Sequence, residues 1–174
     1  LKEEEIFSFI SSFFSKYKTI DENYSNNKND INKNELIKNI LKLSNKTVQD
    51  VMIPRAEIIS VSKGSSLKEI LKLVDRENHS RMPVYENKLD NIIGMLHVKD
   101  ILNQHNNKDF LVESIIRDIL YVAPSSPVLD LLKRMRKSKV HLGLVVDEHG
   151  GIDGLVTIED LVEEIVGEIE DEHD

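Results

Sequence analysis

The chain contains no cysteine and no tryptophan. The first absence excludes disulfides, thiolate metal sites and cysteine nucleophiles, and it suits a reducing compartment. The second, with only five Phe and four Tyr, leaves the core to Ile, Leu and Val. No run of about 18 apolar residues occurs, so no segment reads as a bilayer span. Positive charge is in deficit: 23 Lys and Arg face 31 Asp and Glu, a formal net charge of −8. Such a surface repels polyphosphate chains and argues against nucleic acid as the main partner. The first residue is Leu rather than Met, so the chain reads as a fragment of a longer product.

What is present is a repeat. Gly154-Leu155-Val156-Thr157-Ile158-Glu159-Asp160 reads as a buried strand running into a helix, and sixty residues upstream stands Gly94-Met95-Leu96-His97-Val98-Lys99-Asp100. A period of this size means one supersecondary unit used twice. Residues 1–20 carry a helical stripe (Ile6, Phe9, Ile10, Phe13, Phe14, Tyr17), expected to pack on the domain or a partner. An interfacial membrane helix is the other reading, but Glu3, Glu4 and Glu5 stand where basic residues would be wanted. Residues 21–46 read as a polar linker followed by a short helix from Leu36.

The first unit is placed at 47–108 and the second at 109–170, with an acidic tail at 171–174. In the first, Glu57 to Val61 reads as a β-rich run, and Ser66 with Glu69 as a capping box. Met82-Pro83-Val84-Tyr85 reads as a short strand, with Pro83 at a sheet edge or a strand start. In the second, Ser126 is expected to cap a helix opening at Pro127, and Asp147 to Gly151 to make a hairpin turn. The expected fold is therefore α+β: two β-α-β-β-α repeats packed sheet against sheet with pseudo-twofold symmetry.

Thr157 and Asp160 are the best-placed polar groups. A capping box alone explains both. A cleft gives them more to do. A helix N-terminus fed by a strand end offers free N–H groups to phosphate, and a carboxylate can accept both hydroxyls of a ribose. In the first unit the counterparts are His97 and Asp100, which predict a second, weaker site. The pseudo-twofold would bring Arg81, with Met82 and Pro83, near the other unit's junction, where its guanidinium could balance phosphate. Ile58 and Ile59, with Met52, Ile53 and Pro54, would supply apolar walls for an adenine ring. His79, His97, His105, His141, His149 and His173 have no metal-ligand spacing. No nucleophile has a recognisable base, so no enzyme activity is expected.

Several segments together resemble one family. Asp50-Val51-Met52-Ile53-Pro54-Arg55, His79-Ser80-Arg81-Met82-Pro83-Val84-Tyr85, Gly94 to Asp100, and Val145 to Gly151 through Gly167 to Glu172 resemble the paired CBS domains of the hemolysin C / CorC family. The low-Ala, Ile/Lys/Asn-rich composition looks bacterial. The resemblance implies a regulatory module that binds AMP or ATP, with or without Mg²⁺, and forms a homodimer. It implies a phosphate contact for Thr157, a ribose contact for Asp160 and a ligand contact for Arg81. The family often has Thr where Ile53 stands. It also implies a C-terminal transporter-associated domain outside this chain, a membrane protein partner, and a place in the cytoplasm or at the inner membrane. Hemolysis and magnesium/cobalt efflux are the roles such names carry. The alternative is a dimerisation scaffold of a membrane-associated protein with an empty cleft.

Overall fold

The computed structural model describes residues 26–104 and 109–167. The amphipathic stripe of residues 1–20 and the acidic tail lie outside them. The chain divides into two compact units, Leu1–Ile37 and Lys38–Asp174. Helix α1 (Asn26–Ser44) runs through that division, and it takes up much of the stretch expected to be linker. No Gly or Pro stands in it to stop a helix. Everything that follows lies in the second unit, where Ile40 and Leu43 of α1 are buried.

Two sheets form. One has the order β2-β3-β4: β2 (Val61–Ser62), β3 (Arg81–Tyr85) and β4 (Ile92–His97). The other has the order β1-β7-β6-β5: β1 (Ile53–Pro54), β5 (Leu120–Val122), β6 (Leu142–Val146) and β7 (Ile152–Thr157). The helices are α2 (Leu67–Glu77), α3 (Val98–Leu102), α4 (Val128–Ser138) and α5 (Ile158–Val166). The expected β-α-β-β-α order therefore appears twice, and the fold is an α+β tandem repeat. The register repeats as well. Val84 faces Gly94 and Val145 faces Gly154, and in each pair the ladder shifts at the next residue.

Each repeat is amphipathic in the way its periods demand. On β3, Met82 and Val84 point to one face and join Val61, Ile70, Leu96 and Ile101 in a core under α2. On β4 and β7, Ile92, Met95, Ile152 and Leu155 point the other way and meet Leu142 and Leu144 between the sheets. Two sheets that cannot each cover their inner face cover one another. Helix α2 starts with the expected box: Ser66 Oγ accepts from Glu69 N–H, and Ser66 N–H donates to Glu69 Oε2 at 2.7 Å. It stops at Asn78, whose φ of 53° lies in the left-handed region that Asn tolerates.

Several local expectations need correction. Ser126 does not cap α4; Pro127 holds the cap position, and no side chain bonds there. The Val128 N–H goes instead to the Lys46 carbonyl at 3.2 Å, and the Ser126 carbonyl accepts from Val48 N–H at 2.9 Å. Backbone at the start of the first repeat thus takes the place of a side-chain cap. Pro83 is on the central strand of its sheet rather than at an edge. The strand tolerates it because β2 reaches only Val84 and Tyr85, so that side never asks for the N–H that proline lacks. The run Glu57 to Val61 is mostly not strand; Arg55–Glu57 form a 3-10 turn.

The organising feature is an exchange of leading segments. Strand β1 belongs to the first repeat in sequence but pairs with β7 of the second, Ile53 opposite Leu155 and Pro54 opposite Gly154. In return, Arg117 at the head of the second repeat pairs with Met95 of β4, N–H to carbonyl both ways at 2.9 Å. Beyond β1, the Arg55 guanidinium forks onto the Asp90 carboxylate of the β3–β4 turn and donates to the Ile152 carbonyl at 2.9 Å. Asp90 also accepts from Ile152 N–H at 3.3 Å.

That clamp predicts acid sensitivity. Arg55 first, and then the Ile152 amide, hold the Asp90 carboxyl down to about 2, against about 3.9 in an unfolded chain. A folded-state value below the unfolded one gives stability that is complete above about pH 4 and lost as pH falls through about 2. Asp90→Asn should flatten the acid limb of the unfolding free energy in that window. Equal slopes for variant and wild type, by urea titration at stepped pH, would remove Asp90 from the acid response.

Candidate functional site

The end of β7 and the start of α5 form one wall of a cleft. Thr157 is the N-cap: its Oγ1 accepts from Asp160 N–H at 3.2 Å, and its own N–H donates to Asp160 Oδ2 at 2.9 Å. Both residues are half-buried. The box fixes the carboxylate beside the cleft while using only part of its acceptor capacity, since a carboxylate offers about four lone-pair sites. The opposite wall comes from the other repeat, where Asn78 to Arg81 leave α2 and enter β3. Ile53, Ile58, Ile59, Pro83 and Leu155 supply apolar surface, and Glu57 stands at the end of the 3-10 turn. The cleft has a volume of about 250 Å³.

Its electrostatics are mixed. Arg81 is largely buried, with 17% of its side chain exposed, and its Nη1 lies 2.6 Å from Glu159 Oε1. Its Nη2 lies 3.1 Å from His141 Nδ1. Arginine can only donate, so this geometry requires His141 Nδ1 to accept. Three carboxylates, Glu57, Glu159 and Asp160, thus share the cleft with one guanidinium. The bonds to Glu159 and His141 use two of the five N–H groups that a guanidinium carries.

Of the residues singled out from the sequence, Ile53, Ile58, Ile59, Arg81, Pro83, Thr157 and Asp160 line this one cleft. Met82 does not. It is fully buried in the first repeat's core, as strand alternation requires once Pro83 faces the cleft. Pro54 is exposed and contributes through its place opposite Gly154, and Met52 packs against that same glycine. Sequence reasoning did not single out Glu57, Asn78, Leu155 or Glu159 as cleft residues. Leu155 and Glu159 lie inside the repeated Gly154–Asp160 segment, and Asn78 stands next to the segment from His79. Glu159 meets Arg81 across 78 residues, and no local pattern signals that.

The pseudo-symmetric cleft, of about 300 Å³, is built differently. Asp100 lines it, but Arg117 forks onto its carboxylate at 2.6 and 2.7 Å. That guanidinium is the main cause holding Asp100 below the usual carboxylate range. His97 does not line the cleft. Its Nδ1 accepts from Lys99 N–H at 3.1 Å, and burial lowers its basicity. The register puts Leu142 where Arg81 stands in the first repeat. The connection from Arg117 to Val122 is also three residues shorter than that from Ile53 to Val61. The missing residues correspond to the 3-10 turn, so this cleft has no equivalent of the Glu57–Ile59 wall.

Comparison with known proteins agrees with the architecture. The family described as CBS domain matches residues 48–106 and 112–167. The hemolysin C homolog of Rickettsia rickettsii (strain Sheila Smith) is 39% identical over 180 residues, covering 98% of this chain and 60% of that protein. The chain thus spans about 60% of the length of such curated relatives. Among solved structures, the CBS domain of a bacterial CNNM/CorC family Mg²⁺ transporter superposes with a TM-score of 0.76 at 35% identity, covering 98% of this chain and all of that one. The same kind of domain in complex with ATP gives 0.74 at 39% identity over 79% of this chain and 99% of that one. A CBS-domain pair with bound AMP from Klebsiella pneumoniae gives 0.60 at 36% identity over 70% of this chain and 98% of that one.

Proposed function

We propose, for a chain that belongs to the CBS-domain family as a tandem pair, that the Thr157–Asp160 cleft binds one adenine nucleotide and serves as the sensor of a larger protein. One observation carries the reading: a single cleft gathers an Asp held in place by its cap, a Thr at a helix N-terminus, an Arg from the other repeat and an aliphatic wall. Each group suits one part of the ligand. Asp160 accepts the ribose hydroxyls, Thr157 and the first N–H groups of α5 meet phosphate, and Ile58, Ile59 and Pro83 flank the ring. The volume is close to the lower bound of about 300 Å³ for ligand pockets, which suits a nucleoside with its phosphates at the mouth. The ATP and AMP complexes of similar domains support the choice of ligand.

Binding is to one site per chain, because Arg117 already occupies Asp100 in the other cleft. With Glu57 and Glu159 near the phosphates, Mg²⁺ favours the triphosphate by offsetting carboxylate repulsion. In the full-length protein, occupancy biases the packing of the two repeats, or of a homodimer, and couples to an attached membrane transport domain. Such couplings typically amount to about 1–3 kcal/mol. The role of that protein is divalent-cation transport, and the module lies on the cytoplasmic side.

Titration calorimetry with AMP, ADP and ATP, with and without Mg²⁺, tests this. The expected result is a stoichiometry near one, with ATP gaining most from Mg²⁺. No heat from any of them would leave a bare scaffold.

A further inference from the structure

We propose that Arg55 is a positioning residue for the nucleotide cleft: by locking Asp90 and Ile152 together it fixes the 3-10 turn whose far end forms the cleft wall. The inference rests on the nucleotide reading and deepens it, since nothing in Arg55 touches the cleft itself. Arg55 and Glu57 are the two ends of one turn. At its head, the Arg55 side chain bonds the Asp90 carboxylate and the Ile152 carbonyl. At its tail, Glu57, Ile58 and Ile59 line the cleft. The turn closes with a long backbone bond, Ile58 N–H to the Arg55 carbonyl at 3.3 Å.

Among the described residues, the segment's other anchors are two short strands and the packing of Ile59 and Ile58 against the edges of the two cores. Strand β1 before it is two residues long, and β2 after it is also two. Between them, Glu57 is exposed, and Ile58 and Ile59 are only half-buried. A short, half-solvated segment opens locally at little cost unless something pins it. The Arg55 fork is that pin, and it also ties the turn to both hairpins at once. A bidentate guanidinium has a directionality that a single ammonium cannot reproduce. The second repeat has no such turn, its Arg117 forks onto Asp100 inside the cleft instead, and its cleft has no such wall.

The test uses the full chain with Arg55→Gln, Asp90→Asn and the double variant. Dissociation constants for adenosine and Mg²⁺-ATP are measured beside amide hydrogen exchange of Ile58 and Ile59 in ligand-free protein. Each single variant should weaken both ligands by the same factor, about tenfold, and speed exchange at Ile58. The double variant should lose less than the two single losses combined, because the Arg55–Asp90 link is broken in all three and only their separate bonds to Ile152 add. Arg55→Lys, which keeps a cation by Asp90 but has no fork, should fall between wild type and Arg55→Gln. It also replaces the glutamine variant should that one not fold. Unchanged affinities with unchanged exchange would overturn the proposal, and so would a loss confined to ATP. If the wild type bound no nucleotide, the functional reading alone would fall. Exchange at Ile58 would then decide whether the lock holds the wall.

Discussion

Gly154→Ala is expected to cost about 3 kcal/mol of folding stability, the upper part of the range for forcing atoms into a packed site. An added Cβ would lie 2.6 Å from the Ile53 carbonyl oxygen and 2.7 Å from Met52 Sδ. The methionine tail can swing away. The carbonyl cannot, because Ile53 is paired with Leu155 in the β1–β7 ladder. The backbone of Gly154 is not in the left-handed region, so the cost is close approach alone. Gly94 is its counterpart under the exchange: a Cβ there would meet the Ile116 side chain and the Arg117 carbonyl at 2.6 Å, and its φ of 150° adds strain. Gly94→Ala should cost at least as much. Gly150→Ala, in open space at a φ of 82°, is the control for backbone strain alone and should cost about 1–2 kcal/mol. Urea unfolding of the three variants checks the order. Losses below 1 kcal/mol at both Gly94 and Gly154 would mean that the leading segments are not clamped as described.

Asp160→Asn should lower nucleotide affinity a hundredfold or more while leaving thermal stability nearly unchanged. The reason is a division of labour inside one carboxylate. Its bond from Thr157 N–H at 2.9 Å can also be made by an amide oxygen, and the cap from Thr157 Oγ1 onto the Asp160 N–H is untouched. Hydrogen bonds from ribose hydroxyls to a charged acceptor contribute about 1.5–3 kcal/mol each, and an amide loses the charge on both. Asp160→Ala leaves the Thr157 cap in place but removes the reciprocal half of the capping box together with the ligand contact, and should lose stability by about 1 kcal/mol as well. Thr157→Ser keeps the hydroxyl and should bind almost normally. A scaffold with an empty cleft predicts that the Asn variant changes nothing, so calorimetry and a thermal melt on the same sample separate the two accounts.

The repeat was legible because its signals are local. The Gly-to-Asp segments lie sixty residues apart, and the boxes at Ser66–Glu69 and Thr157–Asp160 sit within one helical turn. Strand alternation was legible too, and applied strictly it would have kept Met82 out of the cleft once Pro83 was placed in it. What could not be read is what depends on contacts far apart in sequence. Strand β1 is two residues long and ends in proline, so no periodicity announces that it crosses to the other sheet. The Arg81–Glu159 pair joins two repeats across 78 residues. The Arg117–Asp100 pair spans only 17 residues, but it requires knowing that Arg117 lies against Met95. Sequence logic could identify the second junction without seeing that its acid is already taken.

The exchanged strand also has a bearing on synthesis. Ile53 cannot find Leu155 until about a hundred further residues have left the ribosome, and an emerging first half has nothing to cover the inner face of its sheet. Long-range closures of this kind slow folding and prolong exposure of apolar surface. A nascent chain stalled before β7 should therefore be a target for chaperones, and neither half should be obtainable as a well-behaved separate fragment.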